Sequence, residues 1–133
     1  MTRRYAGWTE AAGANGGVRV PVRRMRETEH AFQQAVIELA QTLGWRVYHA
    51  RPARTAHGWR TAMQGHDGWP DVVLCRRGRL IIAELKSAKG RLTPGQLAWI
   101  EALRECAGIH VALWRPEDWD AIVAILTGGS VDR

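Results

Sequence analysis

The chain has 133 residues, 46% of them apolar, and a formal net charge of +6. That length is one domain with a sizeable core, and no apolar run approaches the roughly 18 residues of a membrane-spanning helix. No apolar stretch of secretory type follows the N-terminal charges, so a cytoplasmic protein is expected.

The charge is unevenly placed. Residues 1–26 hold six Arg and one Glu (+5), whereas residues 27–133 hold thirteen basic and twelve acidic residues (+1). The first segment is rich in Arg, Gly and Ala without periodicity, and Ala11 to Gly17 has the composition of a flexible linker. A disordered arm is expected over 1–26. An Arg-rich arm either contacts nucleic-acid phosphates without sequence preference or simply solubilises the chain, and both readings stay open.

Thr28 reads as an N-cap. Behind it Phe32, Val36, Leu39, Ala40 and Leu43 recur at three- and four-residue steps, which predicts an amphipathic helix from Glu29 to Leu43, ended by Gly44. Glu29 stands in the first turn, where the helix dipole favours an acid. Trp45 to His49 reads as a short alternating strand. Residues 50–68 form a long loop without clear periodicity and without an acid before Asp67. It carries Arg51, Arg54, His57, Arg60 and His66, with Trp59 among them. A basic loop with an interleaved aromatic clamps phosphates and stacks on a base. Its histidines lack the regular spacing of a zinc site.

Val72 to Arg76 and Leu80 to Lys86 flank an Arg77-Gly78-Arg79 turn, which predicts a β-hairpin. Asp71 opens the first strand; Glu84 and Lys86 close the second. Antiparallel pairing brings Asp71 beside Glu84, and strand alternation puts Glu84 and Lys86 on one face with Leu85 on the other. Ile81, Ala83 and Leu85 make one face apolar, and Leu80 and Ile82 make the other so until Glu84 interrupts. Ionised groups at the end of such a strand are expensive unless paired or bound to a cation. The plain alternative is a solvated Glu84–Lys86 ion pair at a fraying end. Usage of basic residues adds weight to the site: of nineteen, only Lys86 and Lys89 are lysine. Lysine is a compact, tunable point charge, unlike the planar arginine fork.

Ser87 to Leu92 reads as a turn. Thr93 caps the next helix, with Pro94 at its first position, an apolar stripe of Leu97, Ile100, Leu103 and Ala107, and Gly108 as its stop. Gln96 lies in its first turn, on the side that could face the hairpin's end. Ile109 to Trp114 is an apolar strand. Pro116-Glu117-Asp118 opens the last helix, whose inner face is Trp119, Ile122, Val123 and Leu126, before Gly128-Gly129. Cys75 and Cys106 sit in apolar segments and read as free and buried. The order predicts a small three-layer α/β domain around a mixed sheet over residues 27–127, with 128–133 as a tail.

Two carboxylates on adjacent strand ends, with nearby backbone carbonyls, suit Mg²⁺ or Mn²⁺. Such an ion polarises a phosphodiester and acidifies a bound water, and Lys86 beside it would orient that water or stabilise developing negative charge. The set suits phosphodiester hydrolysis. No Ser–His or Cys–His arrangement indicates acyl transfer, and without a Walker-type loop no nucleotide cofactor is expected.

Pro70-Asp71 followed by Glu84-Leu85-Lys86 resembles the PD-(D/E)xK nuclease signature. Glu29 at a helix start, Gly44-Trp45 with Tyr48-His49, Gly68-Trp69-Pro70-Asp71, Gly90-Arg91-Leu92-Thr93 with Gln96, and Trp114-Arg115-Pro116 resemble a stand-alone VRR-NUC domain of phages and bacteria, over about residues 27–127. The resemblance implies a restriction-endonuclease-like fold and Mg²⁺- or Mn²⁺-dependent DNA cleavage. By position, Asp71, Glu84 and the Leu85 carbonyl would bind the metal, Lys86 would be the catalytic lysine, Glu29 an outer or water-mediated metal partner and Gln96 a supporting residue. It further implies branched DNA as substrate and a homodimer. Candidate DNA contacts are Arg51, Arg54, Trp59, Arg60, Lys89 and Arg91. The chain departs from the compact pattern at Arg60 to Gln64, which lengthen the loop before Gly68. A DNA-binding module of nuclease descent that no longer cuts is the alternative, and a structural α/β protein with a plain ion pair a third reading.

Overall fold

The hairpin predicted from Val72 to Lys86 is the centre of the sheet. The computed structural model describes residues 9–10, 18–19, 27–50, 53–60 and 63–128, with backbone alone at 9–10, 18–19, 53–55 and 59–60. In chain order the elements are β1 (Thr9–Glu10), β2 (Val18–Arg19), α1 (Glu29–Thr42), β3 (Arg46–Tyr48), β4 (Ala53–Thr55), β5 (Gly58–Arg60), β6 (Val72–Arg76), β7 (Arg79–Leu85), α2 (Pro94–Arg104), β8 (Ile109–Trp114) and α3 (Trp119–Thr127). The main sheet runs β3-β6-β7-β8, antiparallel except for the parallel β7–β8 pair, which α2 connects. This is the mixed sheet with flanking helices of a restriction-endonuclease-like α/β fold. No described helix is long and apolar enough to cross a membrane.

Local chemistry explains the boundaries. The Thr28 hydroxyl accepts the Ala31 N–H at 3.1 Å and starts α1. Thr93 and Gln96 close a reciprocal capping box on α2, with Pro94 inside it. Between β6 and β7, Arg77 (φ 49°) and Gly78 (φ 81°) form a two-residue turn with both residues left-handed. Two such residues match the twist of the strands they join.

Alternation divides the sheet into two faces. Val72, Leu74, Ile81, Ala83, Leu85, Ala112 and Trp114 face one way and form a single core with Phe32, Val36 and Leu39 of α1 and Trp119, Ile122 and Leu126 of α3. Burial of each Val, Leu, Ile or Phe side chain among them contributes about 1.5–3 kcal/mol. Ile82 and Glu84 point the other way, towards the layer of α2, whose Ile100 and Leu103 are buried. At the turn end of the hairpin, Arg76 Nη1 donates to Leu43 O (2.9 Å) and Arg79 Nη1 to Ile125 O (3.1 Å), at the C-terminal ends of α1 and α3. Both guanidinium groups lie over Trp45, 4.7 and 5.2 Å from its ring, and the Trp45 Nε1–H donates to Leu126 O at 2.9 Å. Cations meet carbonyl-rich helix ends there, which the helix dipole favours.

Several details differ from the sequence expectation. The 50–68 segment is not wholly irregular: β4 and β5 pair as a hairpin around Ala56-His57, with Gly58 at φ 99°. Both cysteines are free but exposed. Cys75 falls on the face of β6 opposite the core, near the turn end, and Cys106 lies past the end of α2. Leu97 of the expected stripe is exposed, and Ala107 follows the helix end. Pro116 to Asp118 form a 3-10 turn ahead of α3. Of the arm expected to be disordered over 1–26, β1 and β2 pair antiparallel, and residues 1–8, 11–17 and 20–26 lie outside the described residues, as do 129–133.

One backbone contact fixes the approach to the hairpin. Gly68 (φ +94°) is pressed against the first turn of α2 so closely that an added Cβ would lie 2.4 Å from the Gly95 carbonyl carbon. Gly65 (φ +104°) has a similar backbone but open space around it. Gly68→Ala therefore carries both a left-handed penalty and a backbone collision, whereas Gly65→Ala carries only the first. Denaturant titration is expected to show Gly65→Ala about 1 kcal/mol less stable than wild type and Gly68→Ala at least about twice that loss. Equal losses would remove the close approach as a constraint.

Candidate active site

The β6–β7 register ends at Val72 opposite Ala83, so Asp71 and Glu84 are the next facing pair. Asp71 is held from both neighbouring strands. Its Oδ2 accepts the Leu85 N–H at 2.8 Å, and its backbone carbonyl lies 2.8 Å from His49 Nδ1, at the end of β3. A carbonyl only accepts, so the proton of that bond resides on Nδ1.

Glu84 is 1% exposed and Lys86 8%, with Lys86 Nζ 3.6 Å from Glu84 Oε2. The pair is therefore not the solvated one that a fraying strand end would give. The Lys86 N–H donates to Trp114 O at 3.0 Å, carrying the β7–β8 pairing one residue past Leu85. Glu84 Oε1 is buried and has no hydrogen-bond partner. Burial, above all, raises the Glu84 carboxyl from 4.5 to about 8, and the neighbouring Asp71 carboxyl pushes the same way. Lys86 lowers it, but by less, and Glu29 adds a smaller upward push from the start of α1. The fold thus brings Asp71, Glu84 and Lys86 together, with Glu29 within electrostatic reach.

The segment after Lys86 is lashed down. Arg115 Nη1 donates to both Ser87 O and Gly90 O at 2.7 Å, and the Arg115 N–H donates to Asp118 Oδ2 at 2.8 Å. A Cβ on Gly90 would sit 3.3 Å from Lys86 Cδ, so the loop lies directly on the lysine stem. His49 and Arg115 received no role from the sequence, although both stood among the residues of the resemblance. Their contacts join residues 22 to 28 positions apart, which no local pattern encodes. Strand alternation and the β3–β6 pairing are the one signal that would have placed His49.

The remaining expected residues divide. Gln96 Oε1 accepts the Thr93 N–H at 2.9 Å, so its amide oxygen belongs to the helix cap. Lys89 and Arg91 are exposed on the loop between Lys86 and α2. Arg51 and the side chains of Arg54, Trp59 and Arg60 lie outside the described residues. Among the described residues no three His, Cys, Asp or Glu side chains gather closely enough to hold a metal ion. Two acidic side chains do converge, and Mg²⁺ commonly takes only one or two protein carboxylates and completes its shell with water. A buried carboxylate oxygen without a partner fits such an ion.

A family model described as the VRR-NUC domain matches residues 14–117, most of the chain. The chain belongs to the VRR-NUC domain family. The match begins within the expected N-terminal arm and ends in the turn ahead of α3. No curated relative and no solved structure matches the chain. VRR-NUC is a nuclease-type domain of the PD-(D/E)xK superfamily, and DNA is the substrate that such a domain implies.

The raised Glu84 pKa has a thermodynamic consequence in the VRR-NUC domain kept free of metal. Glu84 binds its proton more tightly when folded than unfolded. Its stabilising contribution is therefore full below about pH 4.5 and lost as the pH rises through about 8. In EDTA, the stability of wild type relative to Glu84→Gln, from urea titrations across this window, is expected to fall steadily with pH. A pH-independent difference would show that Glu84 ionises normally in the fold.

Proposed function

We propose that this VRR-NUC domain is a divalent-metal-dependent DNA endonuclease, selective for branched or junction DNA and acting in the cytoplasm as a homodimer. The observation that carries the catalytic reading is the buried, partnerless Glu84 Oε1 beside Asp71 and within an ion pair of Lys86. Asp71 and Glu84, with the Leu85 carbonyl, would hold Mg²⁺ or Mn²⁺, and Glu29 would act through water. A bound dication supplies Lewis-acid polarisation of the phosphodiester and a water of lowered pKa.

The chain's own residues do the rest. To hold the ion Glu84 would have to be ionised, so metal affinity would rise with pH up to about 8. Lys86 stays within ion-pair distance of the carboxylate, 3.6 Å away, where its ammonium would orient the attacking water and offset charge on the phosphoryl oxygens. His49 and the Leu85 N–H fix Asp71 at its carbonyl and its carboxylate. Gln96, through the capping box, holds the start of α2 against Gly68. Lys89 and Arg91, with Arg51, Arg54, Trp59 and Arg60, supply backbone and base contacts that position the strand without reading its sequence.

Labelled linear duplex, single strand, flap and four-way junction would be incubated with Mn²⁺, Mg²⁺ or EDTA. Cutting is expected with either metal, none in EDTA, and the junction or flap preferred. Asp71→Ala and Lys86→Ala are each expected to lower the rate by about 10²–10³-fold or more. Wild-type rates in either variant would refute the assigned site. Salt-sensitive DNA binding without cutting in both metals would leave the non-catalytic module in its place.

A further inference from the structure

Trp69 stands two residues before Asp71 and is 42% exposed. A single exposed apolar residue needs no explanation, but this indole is mounted on a rigid frame. It meets Trp99 of α2 edge to face, with ring centroids 4.9 Å apart and planes at 83°. The Trp99 Nε1–H donates to His66 O at 3.1 Å, which fixes the orientation of the supporting ring. On the chain, Gly68 before it is locked against Gly95, and Pro70 after it is buried. Core packing does not require an indole held this firmly at the surface. An edge-to-face contact covers at most one face of the Trp69 ring.

The position is informative. Two residues span at most about 7 Å, and stacked nucleotides of one strand are about 3.4 Å apart. Allowing for the reach of the two side chains, a base resting on Trp69 belongs to a nucleotide within a few steps of a phosphate bound at Asp71. The charge nearby selects the occupant. Lys89 and Arg91 are exposed on the segment leading into α2, the same helix start on which Gly68 rests. A nucleic acid offers phosphates to these cations and a π face to the indole together. Protein–protein contacts, by contrast, are depleted of lysine.

We propose that Trp69, backed by Trp99, is a stacking platform for an unpaired base near the scissile phosphate. The substrate is then DNA with an unpaired nucleotide near the cleavage point, since in continuous duplex neighbouring pairs cover both faces of every base. The location of the phosphate rests on the nuclease reading above; the stacking itself does not.

The test separates the two. In EDTA, the full chain is titrated against a flap carrying 2-aminopurine at the unpaired nucleotide next to the branch, and against continuous duplex with the same label. Wild type is expected to quench the label in the flap. Trp69→Ala and Trp69→Leu are expected to lose the quench and bind the flap about 5- to 150-fold more weakly, with duplex affinity unchanged within about twofold. Trp69→Phe is expected to keep most of both, which separates stacking from a general loosening of the loop. Thermal melting checks that each variant is folded. Unchanged flap binding in the Ala and Leu variants, or an equal loss on duplex, overturns the platform. Cleavage in Mn²⁺ is scored separately. Cutting that ignores Trp69 together with unchanged binding refutes stacking alone, whereas Trp69-dependent binding with no cutting upholds stacking and refutes the nuclease reading.

Discussion

Everything at the working end of this molecule follows from forcing a second carboxyl under the sheet surface next to the first. Glu84 is the sixth residue of a strand that is apolar from Leu80 to Ala83, and it faces Asp71 across the hairpin. An ionised carboxylate in such a place costs several kcal/mol unless something compensates for its lost water. Lys86 compensates only in part, because the balance still lies towards a protonated Glu84. The metal-free fold therefore keeps a proton that a dication would displace.

The rest of the structure holds this arrangement in place from a distance. The opposite face of β7 belongs to the shared core of α1 and α3, so the strand cannot slide or rotate to release Glu84. A one-residue slip would put Leu85 where Glu84 lies and a charge into the core. The turn end is pinned by Arg76 and Arg79 reaching helix carbonyls across Trp45. With that end fixed, the open end of the hairpin carries the unfavourable electrostatics, and its restraints are polar ones: His49 and the Leu85 N–H on Asp71, Arg115 on the loop over Lys86.

What was legible in the sequence was what local pattern encodes. The caps at Thr28 and Thr93, the stripes of α1 and α3, and the hairpin with its facing Asp71 and Glu84 could be read because three- or four-residue spacing and strand alternation express them directly. The β4–β5 hairpin escaped because Ala53 to Arg60 has no apolar alternation and its turn, Ala56-His57, lacks the usual turn residues on both sides. Leu97 misled because period alone does not say where a short helix leaves the sheet. Gln96 could be placed near the site, but its use as a cap depends on the fine geometry of the first turn. Arg115, His49 and the Trp69–Trp99 contact are joined only by the tertiary fold. For Gly68 and Gly95 the sequence shows two ordinary loop or helix-start glycines; their meaning lies in touching each other.

The distribution of lysine can now be read physically. Seventeen of nineteen basic residues are arginine, yet the residue closing β7 is Lys86. An arginine there would present a planar fork able to engage both oxygens of Glu84 at once. Such a bidentate pair would satisfy Oε1 and hold the carboxylate ionised. The lysine ammonium reaches Oε2 at 3.6 Å and leaves Oε1 without a partner. A chain so biased towards arginine thus has lysine at the one position beside the buried carboxylate, and one oxygen of that carboxylate stays open.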